Sequence, residues 1–88
     1  MSVKVFVVDD HEVVRLGVRA LLAESDLKIS GEAGSGESAL KLLARSKPDV
    51  VLLDIQMQPL DGFSTLLRLK NDNPRLPVVM YASSENIT

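Results

Sequence analysis

Eighty-eight residues, 45% of them hydrophobic and 25% charged, suffice for one small domain on a single core and leave no room for a second. The net charge is −2 and the ten Lys and Arg residues are scattered, so the chain has no basic stripe of the kind that grips a nucleic-acid backbone. With no cysteine, a disulfide framework and a thiolate metal site are both excluded.

The first element is Val3 to Val8, a β-branched run that ends in two acids. Its near-continuous hydrophobicity predicts a strand buried on both faces. The run is too short, and too quickly followed by charge, for a signal peptide or a membrane span, so a soluble, cytoplasmic chain is expected. From Glu12 to Glu24 the residues Val14, Val18, Leu21 and Leu22 recur at helical spacing, predicting a helix that buries this stripe, with Asp10 placed to cap it.

Leu27 to Ala33 reads as a second, weaker strand, and Gly34, Ser35 and Gly36 as a turn into a second helix. That helix turns Ala39, Leu40, Leu43 and Ala44 inward and stops at Ser46 to Pro48, because proline disfavours helical geometry in the residue before it. Val50 to Leu53 is the most hydrophobic stretch and predicts the central strand, ending in Asp54. A polar loop through Pro59 and Gly62 leads to a third helix with Phe63, Leu66 and Leu67 inward, ending near Asn71 to Pro74. Pro77 to Ala82 is the fourth strand. With aromatics at only 3%, the core must be Val, Leu, Ile and Ala, as in a parallel sheet covered by helices. Strands alternating with helices give right-handed βαβ units, that is, an open α/β sheet.

In such sheets ligands bind beyond the carboxyl ends of the strands. Asp9, Asp10 and Asp54 all lie at that end. If the first and third strands are neighbours, the three carboxylates converge, and like charges that close require a cation or a proton between them. A hard, oxygen-liganded ion such as Mg²⁺ fits that need.

The stretches VFVVDDHEVVR, VVLLDIQMQPLDG and LPVVMYA, in this order, resemble the receiver domains of bacterial two-component response regulators. The similarity runs from Val3 to the end of the chain, and DDH with GEAGSGESAL is most similar to regulators with a C-terminal helix-turn-helix output domain. The resemblance implies a flavodoxin-like, doubly wound sheet of order β-α-β-α-β-α-β, incomplete because the family's last helix, strand and helix would follow Thr88. On that basis the chain is expected to be the N-terminal portion, 1–88, of a receiver domain and a piece of a longer regulator.

The same resemblance makes Asp54 the phosphoacceptor, charged by a sensor histidine kinase. It has Asp10 bind Mg²⁺ directly, Asp9 through water, and the backbone carbonyl of Gln56 as a further ligand. Asp61 and Gly62 match the family's turn into the third helix, where a structural role is expected. DNA would be met only through a C-terminal domain outside this chain, no membrane is implied, and the exposed edge of the fourth strand suggests a homodimer. The chain departs from the family pattern in placing Gln58 before Pro59 where proline is usual four residues after the acceptor, and Ala82 where a Ser or Thr is usual. Ser83 is adjacent but would point differently.

Three other readings compete. Gly34, Gly36 and Ala39, with Asp54 twenty positions after Gly34, form a G-x-G-x-x-A dinucleotide-binding layout, against which a plain strand-to-helix turn is preferred. A haloacid-dehalogenase-like phosphatase would need an acid where Gln56 stands. His11 beside the acids invites a metal role, but a solvated surface histidine is the expectation, and Met57, Met80 and Tyr81 are read as packing.

Overall fold

A computed structural model describes residues 2–57 and 61–82. The expectations placed on Gln58, Pro59 and Ser83 lie outside the described residues. Seven elements follow one another: β1 (Val3–Val8), α1 (Glu12–Ala23), β2 (Leu27–Ala33), α2 (Gly36–Ser46), β3 (Val50–Asp54), α3 (Gly62–Asp72) and β4 (Val78–Tyr81). The strands form one parallel sheet of order β2-β1-β3-β4, so β1 and β3 are the inner pair and β4 lies at an edge.

Alternation along β1 assigns the two faces. Phe6 and Val8 point to one side and pack with Ala39 and Leu43 of α2, Leu69 of α3, and Val51 and Leu53 of β3. Val5 and Val7 are also buried and point to the other side, the face that carries Glu32 opposite Val7. Arg15 and Arg19 of α1 both reach Glu32, which places α1 on that second face. Helices therefore cover both faces, as the doubly wound reading requires.

One irregularity keeps β2 aligned with β1. The register steps from Val5 opposite Ile29 to Phe6 opposite Gly31, leaving Ser30 as an extra residue. Its hydroxyl donates to the Val5 carbonyl at 3.4 Å and accepts from Ser46 at 2.9 Å. Beyond this bulge the ring of Phe6 lies over Gly31, where any Cβ would stand 2.6 Å from the ring.

The helices differ from expectation mainly in which residues face inward. In α3 the buried positions are Gly62, Thr65 and Leu69, with Leu66 partly buried, whereas Phe63 and Leu67 are largely exposed. Thr65 is tolerated inside because its hydroxyl donates to the Asp61 carbonyl at 2.9 Å. Leu21 of α1 and Ala44 of α2 are likewise exposed, while Val14, Val18 and Leu22 are half-buried as expected. Nor does Asp10 cap α1, since the N-cap position is His11. The other two helices have side-chain caps: Ser35 accepts from the Ser38 N–H at 3.1 Å, and Asp61 from the Ser64 N–H at 2.7 Å. Among the described residues no helix is long and apolar enough to cross a membrane.

Candidate functional site

Strand register builds the site. With Val8 opposite Leu53 in the β1–β3 pair, the residues that follow, Asp9 and Asp54, stand side by side at the carboxyl edge of the sheet. The β3–β4 pair sets Tyr81 opposite Asp54. Main-chain bonds fasten these ends: the Asp9 N–H donates to the Ala33 carbonyl at 3.0 Å, and the Ile55 N–H to the Tyr81 carbonyl at 2.9 Å.

The expected three acids do come together, and a fourth group joins them. Asp9, Asp10, His11 and Asp54 each offer one ligand-type atom, all within 4.8 Å of one another. The side chains of Asp9 and Asp54 are 0% exposed, so their charges have lost water as well as gained a like neighbour. Protein groups offset part of that cost. Oδ1 of Asp9 accepts the His11 backbone N–H at 2.8 Å and lies 2.9 Å from His11 Nδ1, while Oδ2 accepts the Tyr81 hydroxyl at 2.6 Å. Oδ1 of Asp54 accepts the Gln56 backbone N–H at 2.9 Å. The Arg15 guanidinium donates to the Asp9 carbonyl, and its bond to Glu32 ties α1 to the end of β2 beside the site.

His11 is not the solvated surface residue expected from sequence. Its side chain is 28% exposed, and Nδ1 lies 3.0 Å from Asp10 Oδ1 and 3.7 Å from Asp54 Oδ2. Tyr81 likewise does more than pack. Burial first, then the hydrogen bond to Asp9 and the charges of Asp9 and Asp54, raise its pKa far above the usual tyrosine value, so the phenol stays protonated and donates. The His11 contacts lie within the local DDH run, whereas the Tyr81 contact has no signal in local spacing, since Tyr81 and Asp9 are 72 positions apart. Met57 is buried in the core, as expected.

Tyr81→Phe removes that donor and leaves Oδ2 of a fully buried carboxylate without its hydroxyl partner. The expected loss is about 1–3 kcal/mol of stability in the absence of divalent cations, read from urea midpoints at unchanged slope. A midpoint equal to that of the parent chain would show that Oδ2 does not depend on the phenol.

The dinucleotide layout fails on topology. It requires the glycine-bearing strand end and the acid-bearing strand end to be neighbours, and here β1 lies between β2 and β3. At the start of α2, Ser35 already occupies the N–H of Ser38, as in an ordinary strand-to-helix turn.

Comparison with known proteins agrees with this geometry. The family model for the response regulator receiver domain matches residues 5–88. The response regulator protein VraR of Staphylococcus aureus is 39% identical over 84 residues, covering 94% of this chain and 40% of its own length. The chain thus spans two fifths of the length of such relatives. The N-terminal domain of a response regulator receiver protein from Methanoculleus marisnigri superposes with a TM-score of 0.84 at 36% identity, covering 92% of this chain and 67% of that one. The response regulator domain of Thermotoga maritima CheB does so with a TM-score of 0.86 at 30% identity, covering 98% and 66%. With the sheet order, the converging acids and a family match from Val5 onward in agreement, the chain belongs to the response regulator receiver domain family.

Proposed function

We propose that this chain is the phosphoacceptor module of a two-component regulator, in which Asp54 takes a phosphoryl group from the phosphohistidine of a sensor kinase. The observation that carries the reading is the position of Asp54: fully buried, at the end of an inner strand, and within reach of Asp9 and Asp10. Its carboxylate is held in one orientation by the Gln56 N–H, which is what an in-line attack asks of a nucleophile. An Asp54 oxygen forms the new P–O bond as the P–N bond to the donor imidazole breaks. In this reading the chain is a signalling domain that at most catalyses its own phosphoryl transfer and autodephosphorylation.

Receiver domains bind Mg²⁺ in their acidic pocket, and three carboxylates here supply hard oxygen donors that suit it. Asp10 is the natural direct ligand, being 30% exposed at the mouth, whereas both oxygens of Asp9 are engaged by His11 and Tyr81 and would reach the ion through water. The Gln56 carbonyl is the further ligand in this reading. When bound, the ion neutralises charge developing on the transferred phosphoryl oxygens. The output is transcriptional, through a DNA-binding domain elsewhere in the regulator, by analogy with response regulators related to this chain. Among the described residues β4 is the outer strand, and a homodimer in this reading would form by a second copy adding a strand there.

Incubation with acetyl phosphate and Mg²⁺, followed by intact-mass measurement, is expected to show one added phosphoryl group. Borohydride reduction and peptide mapping are expected to place it at residue 54. A label that resists reduction, or that maps to another residue, would overturn the assignment.

A further inference from the structure

The side-chain cluster contains a nitrogen donor that an Mg²⁺ site does not need. We infer that His11 Nδ1 is a metal ligand, so that the pocket is a mixed nitrogen–oxygen centre binding a divalent first-row transition cation more tightly than Mg²⁺. The inference rests on the reading of the acidic pocket as a cation site.

The first support is geometric. Donors around one cation at ~2.1 Å stand roughly 3 Å apart when adjacent, and roughly 4.2 Å apart when opposite. Nδ1 of His11 stands 2.9 Å from Asp9 Oδ1, 3.0 Å from Asp10 Oδ1 and 3.7 Å from Asp54 Oδ2. The nitrogen therefore stands at ligand-to-ligand spacing from Asp10 Oδ1 and Asp54 Oδ2, while its 2.9 Å contact with Asp9 Oδ1 is a hydrogen bond within the pocket.

The second support is how the ring is held. His11 is the N-cap of α1, in extended conformation with φ −98° and ψ 110°. Its own N–H is bonded to Asp9 Oδ1, and Arg15 one turn on is bonded to the Asp9 carbonyl, so both ends of this short segment are pinned. The backbone that carries the ring is thereby fixed beside the acids.

The third support is chemical. Mg²⁺ is hard, keeps several waters and is bound through carboxylates, whereas imidazole suits Fe, Ni, Cu and Zn ions. Affinity at a nitrogen-containing site rises from Mn²⁺ toward Cu²⁺. As a ligand, His11 would bind through Nδ1 with its proton on Nε2. The same contacts could instead come from an imidazolium serving as an internal counter-ion, and metal binding separates the two arrangements.

The test uses the untagged chain, in which His11 is the sole histidine, so any imidazole signal comes from this site. Calorimetric titrations with NiCl₂ and with MgCl₂ are run on the parent chain and on His11→Gln. The expected result is at least a tenfold loss of Ni²⁺ affinity in the variant, with a smaller change in Mg²⁺ affinity. Pulsed EPR of the Mn²⁺-loaded parent chain should show nitrogen modulation of an imidazole directly bound to the ion. Absence of that modulation, or equal Ni²⁺ affinity in parent and variant, would overturn the inference, whether or not the variant folds in the first case. If the parent binds neither Ni²⁺ nor Mg²⁺, the cation-site reading itself fails. If Mg²⁺ binds and supports labelling of Asp54 while His11 proves silent, that reading stands and only this inference falls.

Discussion

Asp54→Asn is expected to lower phosphoryl uptake from acetyl phosphate to the detection limit, a loss on the order of a hundredfold or more, while the chain stays folded and becomes more stable. The amide has nearly the shape of the carboxylate, and its oxygen can still accept the Gln56 N–H, so the local hydrogen bond survives. What it lacks is the negative charge that makes the oxygen a nucleophile. The same change removes one of three carboxylates that lie together, two of them fully buried. Relief of that repulsion should contribute about 1 kcal/mol in metal-free buffer, which for a domain of this size raises Tm by roughly 4–8 °C. Added Mg²⁺ should narrow the gap, because it stabilises the parent chain through the charge the variant has lost. Asp61→Asn is the control: Asp61 caps α3 in an exposed position, asparagine caps equally well, and both labelling and Tm should be unchanged. Labelling of Asp54→Asn at the parent rate would remove Asp54 from the reaction.

The contrast between a gain in stability and a loss of function shows how this site is made. Asp9 and Asp54 sit where burial and mutual repulsion disfavour them, and the fold offsets the cost with His11, Tyr81 and backbone N–H groups. That arrangement was half legible in the sequence. β1 and β2 are read there with the bounds they have, β1 because it is a β-branched run closed by two acids and β2 because turn residues close it on both sides. The three acids could be placed at one sheet edge once β1 and β3 were taken as neighbours. Tyr81 could not be placed as a partner, since its contact depends on the register of β4 against β3, and periodicity carries no register between distant strands.

Helix rotation was legible only in part, for a related reason. In α3, Phe63 and Leu67 look like the inner face because they are large and apolar. The stripe Gly62, Thr65, Leu69 wins because the backbone of Gly62 must lie against the end of β3, and the rest of the helix follows from that anchor. A hydroxyl that bonds its own helix can be buried at little cost, whereas the exposed leucine and phenylalanine lose only the burial they would have gained, about 1.5–3 kcal/mol each.

Gly62→Ala tests that anchor, and it should be among the most destabilising single changes in the chain. The residue does not need glycine for its backbone angles, because no described glycine has a positive φ. It needs glycine for room. A Cβ there would overlap Ile55 Cα, stand 2.5 Å from the Asp54 carbonyl oxygen and 3.0 Å from the Ile55 carbonyl carbon. All three are backbone atoms, so no rotamer change relieves the clash, and either α3 lifts from the sheet or the end of β3 bends. Lifting α3 withdraws Leu69 and Thr65 from the core, and bending β3 moves Asp54 itself. The expected cost is at least 3 kcal/mol, against total stabilities of about 5–15 kcal/mol for ordinary domains. Urea titration followed by circular dichroism should show a midpoint lowered by more than 1 M, or no folded baseline at all. Phe63→Ala, one residue along on the exposed side, should shift the midpoint by less than a third as much. If Gly62→Ala instead melts within about 1 kcal/mol of the parent chain, the close approach of α3 to the β3 terminus is not what sets the helix in place.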